Sequence, residues 1–157
     1  MAEKKKSSDE ILVCVNRKAR FNYFLSEFTE AGIELVGTEI KSLRMAHCSL
    51  DDSYVIIKKR EAYVLNMNIP VYQPNGNFNH EPTRTRKLLL HKKQIDFFER
   101  RISQDGFTVV PVRVYIKHGI CKVQIALAKG KKNYDKRETI KKREDERMMS
   151  RALKRSY

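Results

Sequence analysis

The chain has 157 residues, of which 33% are charged and 41% hydrophobic, and its formal net charge is +14. This length suits a single domain, and the excess of positive charge indicates a polyanionic partner such as RNA, DNA or an anionic membrane. No apolar run approaches the roughly 20 residues of a membrane span, and residues 1–9 lack the apolar stretch of a secretory signal, so we expect a cytoplasmic protein without a membrane partner.

The first predicted elements are a strand and a helix. Residues 11–15 form an apolar run typical of a short strand, and Asn16 is a suitable N-cap for a helix that would reach Phe24 or Phe28. Beyond it, residues 33–44 predict a strand that bends at its glycine and could run into a helical turn.

The first turns of the predicted helix contain three cations, Arg17, Lys18 and Arg20. The helix dipole favours acidic side chains at this end, so cations here need another source of stabilisation. A nearby phosphate would supply it. A solvated helix face explains the same residues equally well.

The middle of the chain predicts a hairpin, a loop and a second helix. Residues 52–58 and 62–69 are β-branched or aromatic runs separated by three polar residues, which is typical of a hairpin. Residues 70–86 contain three prolines and follow no period, so we expect a long surface loop. The spacing of apolar residues predicts an amphipathic helix over 87–103, ended by Asp105-Gly106.

The clearest strand pattern follows this helix. Residues 112–117 and 121–127 alternate between apolar and polar side chains, with a turn at His118-Gly119. We therefore predict a mainly β fold: a closed β-barrel of the oligonucleotide-binding (OB) type, with about six strands and two or three α-helices. An open α+β sandwich is compatible with the same spacing.

The C-terminal residues 129–157 hold half of the excess charge. They contain 12 Lys or Arg and 5 Asp or Glu, which gives a net charge of +7. Their few aliphatic side chains offer too little apolar surface to offset the entropy of ordering the segment. We predict a flexible segment over 1–9, a folded body over 10–128 and a basic tail over 129–157 that is disordered when free. Within the tail, Asp135 and Glu138 form an N-cap pattern for a helix.

No constellation of residues supports catalysis. The motifs of NTPases, dinucleotide-binding enzymes, serine hydrolases and zinc proteases are missing, so we expect no enzyme, cofactor, metal or small-molecule substrate. The three cysteines, Cys14, Cys48 and Cys121, are widely spaced and are expected to be reduced, mostly buried thiols. His47-Cys48 is only a weak metal signal, and Asp51-Asp52 is more typical of a turn than of a nuclease site.

Two features favour RNA binding. Residues 82–87 place Arg84, Arg86 and Lys87 beside a loop with aromatic side chains, the combination of charge and stacking surface that looped RNA requires. Glu30 could accept hydrogen bonds from base amino groups or a 2′-hydroxyl on a basic surface. A solvated loop and a surface acid at a helix end are the alternatives.

Five segments together resemble the small protein B family of bacterial proteins, which bind transfer-messenger RNA. They are NRKARFNYF (16–24), EAGIELVGTEIKSLR (30–44), DSYV (52–55), PTRTRKLLLHK (82–92) and KGKKNYDKRETIKKRE (129–144). The resemblance covers about residues 10–155 and implies an OB-type barrel with helical additions. It also implies a function without a catalytic step: the escort of alanyl-charged transfer-messenger RNA to stalled ribosomes for trans-translation, which tags the incomplete product.

The resemblance implies two sets of binding residues. The set that would hold the tRNA-like domain of transfer-messenger RNA is Asn16, Arg17, Lys18, Arg20, Glu30, Arg84, Arg86, Lys87, Leu88 and Lys122. The set that would enter the decoding region of the small ribosomal subunit is Gly130, Lys131, Lys132, Tyr134, Asp135, Lys136 and Arg137. Tyr134 would stack on a decoding-centre base, and the remaining tail would form a helix in the empty mRNA channel and so sense its vacancy.

Two other classes stay open at this stage. A general ribosomal or assembly RNA-binding protein would explain the charge and the barrel, but not the tail. A metal-dependent nuclease would require RNA cleavage that depends on divalent ions.

Overall fold

The computed structural model describes residues 10–76 and 78–155, without the side chain of Asn75. The predicted flexible segment 1–9 and the last two residues of the predicted tail lie outside the described residues. The described strands are β1 (Glu10–Val15), β2 (Tyr23–Ile33), β3 (Tyr54–Lys58), β4 (Glu61–Leu65), β5 (Arg86–Leu89), β6 (Thr108–Lys117) and β7 (Ile120–Gly130). The described α-helices are α1 (Arg17–Asn22), α2 (Gly37–Arg44), α3 (Lys92–Asp105) and α4 (Asn133–Arg155), and a 3₁₀ turn spans Gln73–Asn75.

The strands form one antiparallel sheet that closes on itself. Its order is β1-β6-β3-β4-β5-β2-β7, and β7 pairs back with β6. Six strands therefore form a ring, and β1 is added to β6 beside the point where β6 meets β3. The prediction of a mainly β protein with two or three helices underestimates the helical content. Four α-helices make the described chain a mixed α/β structure.

The hydrophobic core is built from the strands of the ring and from two helices that pack against it. Val64, Val109 and Ile125 are fully buried strand residues, while Leu43 of α2 and Phe98 of α3 are 1% exposed. Each such side chain stabilises the fold by about 1.5–3 kcal/mol relative to an exposed position.

Two predicted elements change type in the first third of the chain. The predicted helix to Phe24 or Phe28 ends at Asn22, because residues 23–33 form β2 and pair with β7. The predicted strand over 33–44 is instead the end of β2 followed by α2. Helix α2 starts where the Glu39 carboxylate accepts a hydrogen bond from the backbone N–H of Val36 (3.1 Å).

The second half of the chain follows the predicted hairpins more closely. The β3–β4 and β6–β7 hairpins are confirmed, the latter with its turn at His118-Gly119. The predicted helix over 87–103 is wrong at its start, since residues 86–89 form β5 and α3 begins at Lys92. The expected stop is confirmed: Gly106 adopts the left-handed conformation (φ 68°) that favours glycine at a helix end.

Candidate nucleic-acid interface

A groove of about 520 Å³ brings together four of the residues predicted to contact RNA: Glu30, Lys87, Leu88 and Lys122. They come from three strands, β2, β5 and β7, that are neighbours in the ring. Gly32 is at the centre of this arrangement, because it pairs with Lys122 on one side and with Leu89 on the other. A Cβ at Gly32 would lie 3.1 Å from the Cβ of Leu89, so the glycine permits the close approach of β2 and β5.

The groove contains more cations than the sequence predicted. Arg60, in the β3–β4 turn, and Lys92, at the start of α3, also line it. Sequence reasoning missed both because they are distant from the other groove residues along the chain, and only ring closure places them together.

One ion pair in the groove joins strands β4 and β5. Lys87 Nζ lies 3.1 Å from a carboxylate oxygen of Glu61, and both side chains are partly exposed. The hydroxyl of Tyr63 donates to the other Glu61 oxygen (2.5 Å). These hydrogen bonds from Tyr63 and Lys87 lower the pKa of Glu61, and the same ion pair raises the pKa of Lys87. Because the pair is exposed, we expect a phosphate to be able to compete with Glu61 for Lys87.

Glu30 is exposed at the groove, and its carboxylate accepts a hydrogen bond from a buried tyrosine. The hydroxyl of Tyr115 in β6 donates a hydrogen bond to Glu30 Oε2. Tyr115 itself is only 2% exposed. Burial and the hydrogen bond to Glu30 raise the pKa of Tyr115 above its ordinary value of 10.0, so its hydroxyl remains a donor even in mildly alkaline solution.

Three of the residues predicted to contact RNA are buried, which leaves little of their side chains exposed for a direct contact. Arg86 has no exposed side-chain area and bonds to Glu39 (3.0 Å) and to the carbonyl of Met67 (2.6 Å). Asn16 is 3% exposed, and Leu88 is 1% exposed. Leu88 belongs to the hydrophobic core cluster and lines the groove as well, so only a small part of the residue is accessible there.

Asn16 caps α1 and ties it to the body. Its Oδ1 accepts from the backbone N–H of Ala19 (3.0 Å), which confirms the predicted N-cap. Its amide donates to the carbonyls of Leu50 (3.2 Å) and Pro111 (2.9 Å). These three bonds account for the buried side chain without any RNA.

The other predicted cations of the body divide between two further places. Arg17, Lys18 and Arg20 are exposed on α1, where Lys18 Nζ lies 3.7 Å from Asp51. Arg84 lines a separate pocket with Phe78 and His80 and not the groove. Its guanidinium pairs with Glu39 (2.9 Å).

A further basic and aromatic pocket, of about 290 Å³, lies where α1 meets the tail. It is lined by Arg20, Tyr23, Phe24, Leu25, Phe28 and Lys131. Phe24 and Phe28 are 53% and 52% exposed. Sequence reasoning missed this pocket because it placed both rings in a helix.

The tail begins against α1. The backbone N–H of Lys131 donates to the carbonyl of Asn22 (2.9 Å), and Lys131 Nζ lies 5.2 Å from the ring centre of Phe24. Farther along α4, the guanidinium of Arg143 lies 5.6 Å from the ring centre of Phe21. None of the described residues of α4 is buried, so these contacts attach its N-terminal half without enclosing it.

The cap of α4 differs from the prediction. The helix begins at Asn133, and the Asp135 carboxylate accepts from the backbone N–H of Lys132 (3.1 Å). Asp135 therefore lies in the first turn and is not the N-cap. Of the other predicted tail residues, Gly130 ends β7, Lys132, Tyr134 and Arg137 are exposed, and Lys136 is half-buried.

Several features bear on the alternative classes. In the part of the chain that the structure describes, no helix is long and apolar enough to cross a membrane, and no group of three or more His, Cys, Asp or Glu could hold a metal ion. Asp51 and Asp52 lie near Lys18. The three cysteines are half-buried free thiols packed against the core, and burial raises the pKa of Cys121 to about 12.

A closed sheet with a cation-lined groove, a second basic and aromatic pocket and a basic terminal helix is the organisation of a nucleic-acid-binding protein. Comparison with known proteins narrows this class. The family model described as "SmpB protein" matches residues 13–155. The chain therefore belongs to the SmpB protein family.

Individual relatives are similar over nearly their whole length. An "SsrA-binding protein" of Trichodesmium erythraeum is 51% identical, covering 96% of this chain and 97% of the relative. An "SsrA-binding protein" of Shouchella clausii is 52% identical, covering 91% and 92%. A solved structure described as "tmRNA-SmpB: a journey to the center of the bacterial ribosome" contains a chain that is 40% identical, with a TM-score of 0.66, covering 76% of this chain and 85% of the other.

Proposed function

We propose that this protein binds transfer-messenger RNA, also called SsrA RNA, and delivers it to stalled ribosomes for trans-translation. The protein acts by binding and performs no chemical step. The names of its relatives and of the similar solved structure support this assignment. The single structural observation that carries it is the convergence of Glu30, Lys87 and Lys122 in one groove.

The groove combines two kinds of contact. Lys87, Lys122, Arg60 and Lys92 would neutralise phosphates, which releases counterions and supplies affinity without regard to sequence. Glu30 would accept a hydrogen bond from a ribose hydroxyl or a base amino group. The phosphates of the RNA have no such donor. Affinity and selectivity therefore come from different side chains of the same groove.

The closed ring of six strands is, in this proposal, an OB-type barrel whose outer surface holds the tRNA-like domain of the RNA. The exposed cations of α1, Arg17, Lys18 and Arg20, extend this surface. Arg84 is a contact of a separate pocket, and Arg86 and Asn16 support the surface from inside. The cytoplasm, where ribosomes work, is the site of action.

The tail has the second role, in the small-subunit decoding region and the mRNA channel. Helix α4 has 23 residues and would extend about 35 Å, at 1.5 Å per residue. Its cations suit a channel lined with RNA, and its length would clash with an mRNA already present there. The tail thus binds only where the channel is empty, with Tyr134 placed to stack near the decoding centre.

The helix needs this partner to persist along its full length. Beyond the contact of Arg143 with Phe21, the rest of the helix is exposed and would be marginal in water. The sequence predicts disorder of the whole tail, 129–157, in the free protein; we propose that the part of α4 beyond Arg143 is disordered when free and helical on the ribosome.

Crosslinking in cells, followed by identification of the bound RNA, tests the assignment. We expect transfer-messenger RNA to be enriched over ribosomal RNA, and the combined change Lys87→Ala and Lys122→Ala to reduce that enrichment. The control is the combined change of Lys58→Ala and Lys93→Ala, which removes the same charge from exposed positions outside the groove lining. Recovery of ribosomal RNA alone would favour a general ribosomal RNA-binding protein.

A further inference from the structure

We propose that Tyr115 is a positioning residue that fixes the Glu30 carboxylate as the acceptor of the groove and so sets its selectivity for folded RNA. The inference rests on the proposed function. Tyr115 does not touch the RNA in this account, since it is 2% exposed. It acts through the hydrogen bond that its hydroxyl donates to Glu30.

The sheet register explains how the two residues meet. Tyr115 in β6 pairs with Lys122 in β7, and Glu30 in β2 pairs with Gln124 in β7. The Tyr115 side chain therefore reaches across β7, diagonally, to a residue two strands away. Lys122 pairs with Gly32 on its other side, so no β2 side chain stands opposite Lys122. The acceptor and a groove cation are thus set on adjacent strands, and Tyr115 lies on the same face of the sheet as both, because paired residues of antiparallel strands share a face.

The tyrosine ring is itself held in place. The guanidinium of Arg113 lies 4.4 Å from the centre of the Tyr115 ring. Arg113 is fixed from two sides, by Gln124 (3.1 Å) and by Glu10 (2.5 Å). The ring is therefore immobilised by a guanidinium that has its own partners, and the hydroxyl can point in only a narrow range of directions.

This arrangement suits an acceptor that discriminates between ligands. A carboxylate offers about four acceptor sites, and Tyr115 uses one of them at Oε2. A flexible glutamate would lose rotamer freedom when it binds RNA, whereas a glutamate already held by Tyr115 has lost that freedom on folding. Orientation also matters, because a hydrogen bond weakens steeply as its angle departs from linear.

The Tyr63–Glu61 pair supplies a matched comparison. Tyr63 also donates its hydroxyl to a carboxylate at the groove, but Glu61 has Lys87 as a second partner. Loss of the Tyr63 hydroxyl therefore leaves Glu61 held, while loss of the Tyr115 hydroxyl removes the hydrogen bond that the structure shows on the Glu30 side chain.

The test measures the dissociation constants of the full-length protein for the tRNA-like domain and for an unstructured RNA of equal length. Their ratio is the selectivity. We expect Tyr115→Phe and Glu30→Ala each to lower the selectivity about three- to tenfold, and Tyr63→Phe to leave it unchanged. The double variant of Tyr115→Phe and Glu30→Ala should lose no more selectivity than either single variant, because both changes disable the same acceptor.

Three results would overturn the positioning role: unchanged selectivity in Tyr115→Phe, an equal loss of affinity for both RNAs, or additive losses in the double variant. The salt dependence of binding should change little in Tyr115→Phe, and the variant should remain folded at the temperature of the binding assay, which separates positioning from unfolding. If the unaltered protein itself fails to prefer the tRNA-like domain, the proposed function and the positioning role both fail. A retained preference in Tyr115→Phe overturns only the latter.

Discussion

The carboxylate of Glu39 lies 3.0 Å from the Nε of Arg86, and neither side chain has any exposed area. The same carboxylate also pairs with Arg84 at 2.9 Å. Burial alone would raise the pKa of Glu39, but the hydrogen bond from Arg84 and the charge of Arg86 outweigh it and lower that pKa. The cations of residues 82–87 therefore have different roles: Arg86 is a buried structural residue, whereas Lys87 is partly exposed at the groove.

Replacing Glu39 with Gln should destabilise the protein by about 3–5 kcal/mol, because Arg86 would keep a buried charge without its counter-ion. Urea unfolding measures this free energy. The control is Asp105→Asn, which breaks the exposed pair of Arg101 and Asp105 and should cost less than about 0.5 kcal/mol. Similar losses in the two variants would contradict the structural role of Glu39.

Tyr115 should make stability fall at alkaline pH. Its pKa is raised in the folded protein above the ordinary value of 10.0, so above about pH 10 the unfolded chain loses a proton that the folded chain keeps. The contribution is complete below pH 10 and declines as the pH rises further. The free energy of unfolding should therefore fall more steeply between pH 9 and pH 11 in the unaltered protein than in Tyr115→Phe. Parallel pH profiles would count against the buried hydrogen bond.

Asn16 and Arg17 are neighbours that should separate stability from RNA binding. Asn16→Ala removes a helix cap and the amide donor to the carbonyls of Leu50 and Pro111, of which Leu50 keeps its hydrogen bonds from Ser53, so we expect a loss of about 2 kcal/mol in unfolding free energy. Arg17→Ala should leave stability unchanged and reduce the salt dependence of RNA binding, with a slope of log K against log salt smaller by about 0.7–0.9. Urea unfolding measures the stability of each variant, and titration of the folded protein with the tRNA-like domain measures its RNA binding. Weaker RNA binding by Asn16→Ala under conditions where it remains folded would restore Asn16 as a contact.

The elements that sequence reasoning identified are those with a local signal. The alternation in β6 and β7 and the glycine stop at Gly106 depend on neighbours a few residues away, and they are confirmed. The errors at Tyr23–Ile33 and at Gly37–Arg44 arise where pairing with a distant strand, or a capping hydrogen bond, overrides the apolar pattern. The groove shows the same limit. Lys87 and Lys122 are basic residues visible in the sequence, but only ring closure shows that they share a groove with Arg60.

The burial of Arg86 and Asn16 also could not be predicted from the sequence. Both residues look like surface contacts, since charged and amide side chains are mostly exposed in proteins. Their partners, Glu39 for the first and the carbonyls of Leu50 and Pro111 for the second, are separated from them by tens of residues. No short-range pattern reports such pairs.

The division of labour between body and tail is the central claim of this account. Ending the chain after Asn133 removes nearly all of α4 but keeps Lys131, whose N–H is bonded to Asn22. The body should stay folded, and circular dichroism should lose at most the signal of the N-terminal turns of α4 that contact α1, because the distal helix is marginal when free. Changing Asp135, Lys136 and Arg137 together to Ala should act in the same way, since it removes the first-turn bond to Lys132 and two cations.

The most direct measurement compares the shortened and full-length proteins for transfer-messenger RNA affinity at physiological salt and for tagging on stalled ribosomes in a reconstituted translation system. The account predicts that the shortened protein binds the RNA within about threefold of the full-length chain, because the groove cations that would neutralise phosphates all precede the tail, and that it supports no tagging. Loss of RNA affinity on shortening, or tagging that survives it, would contradict the account.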